Sequence, residues 1–408
     1  MKPGRTGPRP LPLHLSTAAT VSASSLSAWP LLKSGWTPWS ENLAPAGKAL
    51  RNQLEAVNPE AFETALRSET ARRFGEFLTG LETYRAHDYR RTLNVPPVLW
   101  ESGPVQLLDY GATHPNGDTG EPLLVVPSLV NRGYILDLTA ERSFLRYLAA
   151  EGFRPLLVDW GTPDESRLSR TLDDIIAGDL VEILETACET AGGSPVSAIG
   201  YCMGGTLAVA LAALAPERLS SLVLLAAPWD FHAGTDGAPA FATAGRPALE
   251  AIIAATGSLP VDVLQALFFT VDPTQSWKKF RMLGKSPPSG KAAAHFVALE
   301  DWLNDGVPLG AAVARTCLFD WYGENLPARD AWSVQGRNIV PSDIPIPTLA
   351  VIPQLDRIVP PTSALSLAHR LPHAEMLSPK AGHIGMMVGG NSKSALWRPV
   401  SEWLSNQL

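Results

Sequence analysis

Cysteine is scarce: three in 408 residues, Cys188, Cys202 and Cys317. An odd number, spaced far apart in a long chain, excludes a disulfide framework and offers no metal-ligand spacing, so no metal is expected and a reducing cytoplasm is the expected setting. Long apolar runs are missing too, none approaching the roughly 20 residues that cross a bilayer, and no transmembrane segment is expected. Charge of neither sign dominates. The 33 basic and 40 acidic residues are scattered, for a formal net charge of -7, which leaves no electrostatic footprint for nucleic acid. The start of the chain carries early basic residues but no clean apolar core ahead of a cleavage site, and Pro8, Pro10, Pro12 and Pro30 interrupt it. Residues 1–45 are therefore expected to be a flexible N-terminal tail rather than a targeting peptide.

What is present suits a globular protein with a real core, since 45% of the chain is hydrophobic. Residues 46–104 read as a helical segment followed by the start of a hairpin. Asn58, Pro59 and Glu60 make a helix start, and Phe62, Leu66, Phe74, Phe77, Leu78 and Leu81 recur at helical spacing, a face expected to pack. Short strands over 98–101 and 105–110 flank Ser102-Gly103-Pro104. From Pro122 near-continuous apolar runs at 123–126, 155–158, 196–199, 219–225 and 348–352 read as strands buried on both faces. They alternate with helical stretches at 139–151, 171–190 and 203–214, which predicts an α/β fold with a mostly parallel sheet. Residues 105–228 and 341–408 form the two parts of this core. Between them, 229–340 is helical, loop-like and aromatic, with no strong strand run, and reads as a lid or cap insertion.

The stretch 196–211, VSAIGYCMGGTLAVAL, puts Cys202 between an apolar β-prone run and a helix-prone run, with Gly200, Gly204 and Gly205 beside it. That is the pattern of a nucleophile elbow, where a strained strand-to-helix turn lifts a reactive side chain above the sheet edge. The plainer alternative is a small buried hydrophobe in a packing turn. A thiol nucleophile needs a base, and the base needs an orienting group. Asp356, in QLDRIVPP after the run 348–352, and His383, in AGHIGMM before the last helix, supply both in the order nucleophile, acid, histidine of the α/β-hydrolase fold. Taken alone, Asp356 reads equally well as a turn cap. The other seven histidines lack such a context, Cys188 and Cys317 read as structural, and Asp159-Trp160-Gly161 reads as a turn. An oxyanion hole would use the backbone amides of Met203 and, in PSLVN after an early strand, of Val130.

With these residues in place the chain resembles the polyhydroxyalkanoate (poly-3-hydroxybutyrate) synthases, cysteine-dependent enzymes that polymerise 3-hydroxyacyl-CoA. The likeness runs over about 122–404 and is carried by PSLVNRGYILDL, LLVDWGTPD, GYCMGG, LAAPWDF, FVALEDWLNDG, QLDRIVPP and AGHIGMMVGG. The compact length, Val359-Pro360-Pro361 and GHIG look most like the short synthases that work with a second subunit. The resemblance implies an α/β-hydrolase fold with a helical lid, Cys202 as acylated nucleophile, His383 as base and Asp356 as its acid partner. It further implies (R)-3-hydroxyacyl-CoA and a growing polyester chain as ligands, no cofactor beyond the CoA of the substrate, a homo-oligomer, and a cytoplasmic place on polymer granules. Family members often have His after the catalytic Asp, where this chain has Arg357. The competing reading is a Cys-dependent hydrolase on the same scaffold, whether thioesterase, polymer depolymerase or dienelactone hydrolase-like esterase. A catalytically silent granule protein is a third.

Overall fold

The computed structural model describes residues 4–114, 120–234, 237–287 and 289–408; residues 1–3, 115–119, 235–236 and 288 of the expected segments lie outside these. The chain separates into two compact units, one of Met1–Arg90 with Gln265–Asn304, the other of Arg91–Leu264 with Asp305–Leu408.

The first unit is helical. Asn58 caps the helix Pro59–Ala86, its side chain accepting from the amides of Glu60 and Ala61 at 3.0 Å, which satisfies two of the donors that a helix start leaves orphaned. This helix lies so close against Gln275–Lys285 that a Cβ on Gly80 would meet the Phe280 carbonyl and one on Gly284 the Glu76 carbonyl. Phe77, Leu81 and Tyr84 pack there with Phe280, Leu283, Val297 and Ala18, so the amphipathic face does pack. Ala18 belongs to a helix over Leu11–Ser34, which corrects the expectation of a flexible tail over 1–45. Of the prolines taken as breakers, Pro10 stands at the N-cap and Pro12 in the first turn, where a missing amide costs nothing. Only Pro30 is internal.

The second unit carries an eight-stranded sheet. Its strands are β1 (Val98–Ser102), β2 (Val105–Asp109), β3 (Glu121–Val126), β4 (Phe153–Asp159), β5 (Val196–Tyr201), β6 (Leu219–Leu225), β7 (Thr348–Val351) and β8 (Ala374–Leu377), in the order β1-β2-β4-β3-β5-β6-β7-β8. The β1–β2 and β2–β4 pairs are antiparallel and all others parallel. Leu123 to Val126 and all of β5 and β7 are buried, as runs of branched apolar residues sandwiched on both faces should be. Register aligns the carboxyl ends: Val126 pairs Gly200, Tyr201 pairs Leu225, and Leu225 and Leu377 both pair Val351. The loops after β3, β5, β6, β7 and β8 therefore leave one edge of the sheet together, where open parallel sheets bind ligands.

Three sequence expectations change in detail. The helix expected over 139–151 begins only at Phe144, because Ser143 caps it by accepting the Arg146 amide at 3.1 Å, and 137–143 form a small antiparallel ladder instead. The helix expected over 171–190 is π-helical over Asp174–Leu180 and α-helical over Val181–Thr190. The insertion 229–340 divides: Gln265–Asn304 group with the N-terminal residues, while 229–264 and 305–340 belong with the sheet and include two short ladders, Ser258–Leu259 with Leu309–Gly310 and Ser333–Val334 with Arg337–Asn338. Among the described residues no helix is long and apolar enough to cross a membrane.

Candidate active site

Cys202 stands between β5 and the helix Met203–Leu214 with φ 56° and ψ -128°, a backbone conformation that costs an L-residue about 1–3 kcal/mol. Main-chain bonds hold it there: its amide donates to the Leu225 carbonyl at 2.9 Å and its carbonyl accepts from the Gly205 amide at 2.8 Å. The neighbouring glycines are required by space. A Cβ on Gly200 would meet Gly205, one on Gly204 the carbonyls of Val126 and Pro127, and one on Gly205 the Ala227 side chain. The helix that follows is buried from Met203 to Ala213, so the turn is fixed from below by the core. The side chain of Cys202, like Ile358 and Leu365, packs against the buried cluster of Ala350, Ile352, Val359, Ala364 and Ala368.

The loops carrying Asp356 and His383 are zipped together beyond the ends of β7 and β8. Ile352 donates to Leu377, Gln354 to Pro379 and Leu355 to Ala381, at 2.8, 3.0 and 3.0 Å, which extends the strand pairing into the loops and brings two residues 27 positions apart side by side. His383 Nδ1 lies 2.7 Å from Asp356 Oδ2; because a carboxylate only accepts, Nδ1 carries the proton and donates. The other oxygen, Oδ1, accepts from the amides of Ile358 and Val359 at 2.8 and 2.9 Å. Both side chains are buried, at 5% and 6% exposure. The Tyr201 ring lies flat on the imidazole, centroids 5.1 Å apart and planes 29° apart. Neither Tyr201 nor this stacking was assigned a role from sequence, although it lies inside the GYCMGG motif.

His383 is also close enough to Cys202 for the charge of a thiolate there to act on it. Burial by itself pushes the imidazole down, but the charge of a Cys202 thiolate and the bond to Asp356 outweigh it, and His383 is pushed up to about 10. The site thus gathers a cysteine, an imidazole and a buried carboxylate that fixes the imidazole by its Nδ1. Burial also pushes the Tyr201 phenol well above its ordinary value, so the ring on the imidazole stays uncharged.

The two backbone amides proposed from sequence differ. Met203 N begins the elbow helix, among the amides that have no intrahelical acceptor. Val130 N donates to Ser128 Oγ at 3.2 Å within its own loop. That loop follows the end of β3, whose carbonyls abut Gly204. Asp159-Trp160-Gly161 forms the expected turn: Asp159 Oδ1 accepts the Gly161 amide at 3.0 Å and Trp160 Nε1 donates to the Pro127 carbonyl at 3.1 Å. Cys188 and Cys317 are buried, and burial pushes the Cys317 thiol up to about 12. Among the described residues no group of three or more His, Cys, Asp or Glu side chains could hold a metal ion.

Two family models match the chain. One, described as alpha/beta hydrolase fold, covers residues 121–390; the other, described as poly-beta-hydroxybutyrate polymerase (PhaC) N-terminus, covers 92–148, so the likeness begins before the 122 read from motifs. A poly(3-hydroxyalkanoate) polymerase subunit PhaC from Haloferax mediterranei is 29% identical over 314 residues, 76% of this chain and 63% of its own length. Its namesake from Haloarcula marismortui is 27% identical over 319 residues, 76% of this chain and 67% of that one. The Synechocystis sp. protein of the same name is 29% identical over 294 residues, 70% and 78% respectively.

Proposed function

From the premise that this chain belongs to the alpha/beta hydrolase fold family, we propose that it is an acyltransferase of the poly(3-hydroxyalkanoate) synthase type, with Cys202 as nucleophile, His383 as general base and Asp356 as the group that orients the histidine. The observation that carries this is a cysteine on a strained elbow beside an imidazole whose Nδ1 is fixed by a buried carboxylate at 2.7 Å. The polymerase subunits related to this chain give the chemistry its direction.

The Cys202 thiolate attacks the thioester carbonyl of an (R)-3-hydroxyacyl-CoA, and the carbon–sulfur bond to CoA breaks. Its charge is then gone, and with it the largest influence raising His383. Burial now favours the neutral imidazole, so the histidine gives its proton to the departing CoA thiolate and becomes a base. The acyl group stays a thioester, still activated. In the second half, the 3-hydroxyl of another unit gives its proton to His383 Nε2 as its oxygen attacks the acyl carbon, and the carbon–sulfur bond to Cys202 breaks. An ester is formed and the thiolate–imidazolium pair returns. The developing oxyanion is met by the amides of Met203 and Val130, the latter exchanging Ser128 for substrate. Residues 229–264 and 305–340 act as the lid, because water must be kept from the acyl-cysteine for the chain to grow. A second subunit, assembly with further copies, and a cytoplasmic place on polymer granules complete the proposal.

Incubating the purified protein with (R)-3-hydroxybutyryl-CoA, alone and with a candidate second subunit, tests it. CoA release with insoluble polyester is the expected result. Free 3-hydroxybutyrate as the sole product would overturn it in favour of a hydrolase, which the same three residues also serve.

A further inference from the structure

A small cavity lies beside the loop whose Ile358 and Val359 amides bind Asp356. Its walls include Asp230 and Phe231 after β6, Tyr322 at the end of the π-helical stretch Thr316–Gly323, and Ile358 and Val359 just past Asp356. Val359 belongs to the apolar cluster against which Ile358 and Cys202 also pack, so the cavity and the thiol adjoin the same cluster. Its lining is largely apolar, and Tyr322 brings a neutral hydroxyl to it.

Tyr322 is held from several directions. Its ring meets Phe231 edge-on with centroids 5.0 Å apart, and Phe231 stacks on Trp321 at 5.3 Å. The loop opposite is tied to the same segment: Asn325 accepts the Phe231 amide and donates to Asp230 Oδ1, both at 2.9 Å, and His232 Nε2 lies 3.0 Å from the Tyr322 carbonyl. A π-helical stretch inserts an extra residue into a turn at some cost to its hydrogen bonds, and such turns gather at functional sites. Among the described residues the Tyr322 hydroxyl donates to no protein group. Burial first, and then the charge on Cys202, push the phenol up from its ordinary value, so it stays a neutral donor wherever the thiolate exists.

We propose that the Tyr322 hydroxyl binds substrate, donating a hydrogen bond to the 3-oxygen of the incoming hydroxyacyl unit and holding it for attack on the acyl group carried by Cys202. This rests on the acyltransferase reading above. The oxygen's own proton goes to His383 and its lone pair to the acyl carbon, while the phenol keeps its proton throughout. Tyr322 therefore acts in the transfer half of the cycle and not in the loading of Cys202.

The test is Tyr322→Phe, which keeps the ring against Phe231. Rapid mixing with (R)-3-hydroxybutyryl-CoA should give one equivalent of CoA per site at a rate within about twofold of the parent, while steady-state transfer to the next unit falls about 10- to 100-fold, the loss of one hydrogen bond made in the transition state. Unchanged steady-state transfer overturns the proposal. So does an equal fall in both phases, which would mark a structural role; thermal melting of the variant is followed alongside. The two readings fail differently. A parent enzyme that yields only free 3-hydroxybutyrate sinks the acyltransferase reading and this proposal with it, whereas a parent that makes polymer beside an unimpaired Tyr322→Phe sinks the proposal alone.

Discussion

Asp356 divides its two oxygens between His383 and the backbone: Oδ2 takes the imidazole Nδ1 at 2.7 Å, and Oδ1 takes the amides of Ile358 and Val359 at 2.8 and 2.9 Å. The carboxylate cannot turn without breaking one set of bonds to keep the other. It therefore sets both the plane of the imidazole and its tautomer, leaving Nε2 without a proton to donate when the ring is neutral.

Replacing that carboxylate by an amide tests how much the orientation is worth. In Asp356→Asn, Oδ1 still accepts both amides, but the NH2 group faces a donor, and the imidazole must flip its tautomer or turn away. Turnover of acyl-CoA is expected to fall on the order of 10⁴-fold, as in other triads so altered, with an unchanged circular dichroism spectrum. Turnover within threefold of the parent would remove Asp356 from the proposed site.

The coupling of His383 to Cys202 is testable by titration. Burial opposes the charge on His383, and the charge of a Cys202 thiolate together with Asp356 raises the imidazole to about 10, above its ordinary value near 6.5. A group raised on folding stabilises fully below its unfolded value and loses that contribution as pH rises through the folded one. This stabilisation is thus whole below about 6.5 and gone above about 10. Cys202→Ala removes the largest raising influence, so its imidazole should titrate at lower pH, and stability should stop falling earlier on the alkaline side. NMR of the imidazole protons, with urea midpoints across pH 6 to 10, reads both. A His383 titration unmoved by Cys202→Ala would show that the two do not interact.

How far these features could be read in the sequence follows from what each leaves behind. The parallel strands left apolar runs and the elbow left three glycines, each required by a contact that admits no Cβ. The pairing of Asp356 with His383 could be guessed from order alone. Its cause could not, because Gln354 to Pro379 and Leu355 to Ala381 are main-chain bonds with no side-chain signature. The helix Leu11–Ser34 was hidden by prolines that fall where a helix tolerates them. Tyr322 stood as one aromatic among many in 229–340, and only folding sets it across a cavity from Ile358.

Asp137 is the next feature open to test. It is fully buried and takes Arg91 at 2.7 Å, Arg146 at 2.8 Å and the Tyr110 hydroxyl at 3.1 Å. Removing one member of such a network strands the others, at a cost of about 3–5 kcal/mol. Because the two arginines keep some exposure, Asp137→Ala is expected near 3 kcal/mol by urea denaturation. Glu63, paired with Arg67 on an open helix face, is the contrast, its alanine variant costing less than about 0.5 kcal/mol.

Glycine substitutions separate conformational entropy from space. Gly75 lies inside the helix Pro59–Ala86 with nothing within 4 Å of a built Cβ, so Gly75→Ala should stabilise by about 0.5–1 kcal/mol through the entropy of the unfolded chain. Gly204 is also helical, yet its Cβ would strike the carbonyls of Val126 and Pro127, backbone atoms that no rotamer change can move. Gly204→Ala must then push the elbow helix off the end of β3, costing about 1–3 kcal/mol despite the better helix former. Under the proposed mechanism the same displacement separates Met203 N from the 127–130 loop, so acyl transfer should fall by more than the lost stability explains. Melting temperatures that rise in one variant and fall in the other, with activity lost only in the second, are the expected pattern; a Gly204→Ala protein as stable and active as the parent would mean that the elbow is not packed as tightly as its carbonyl contacts require.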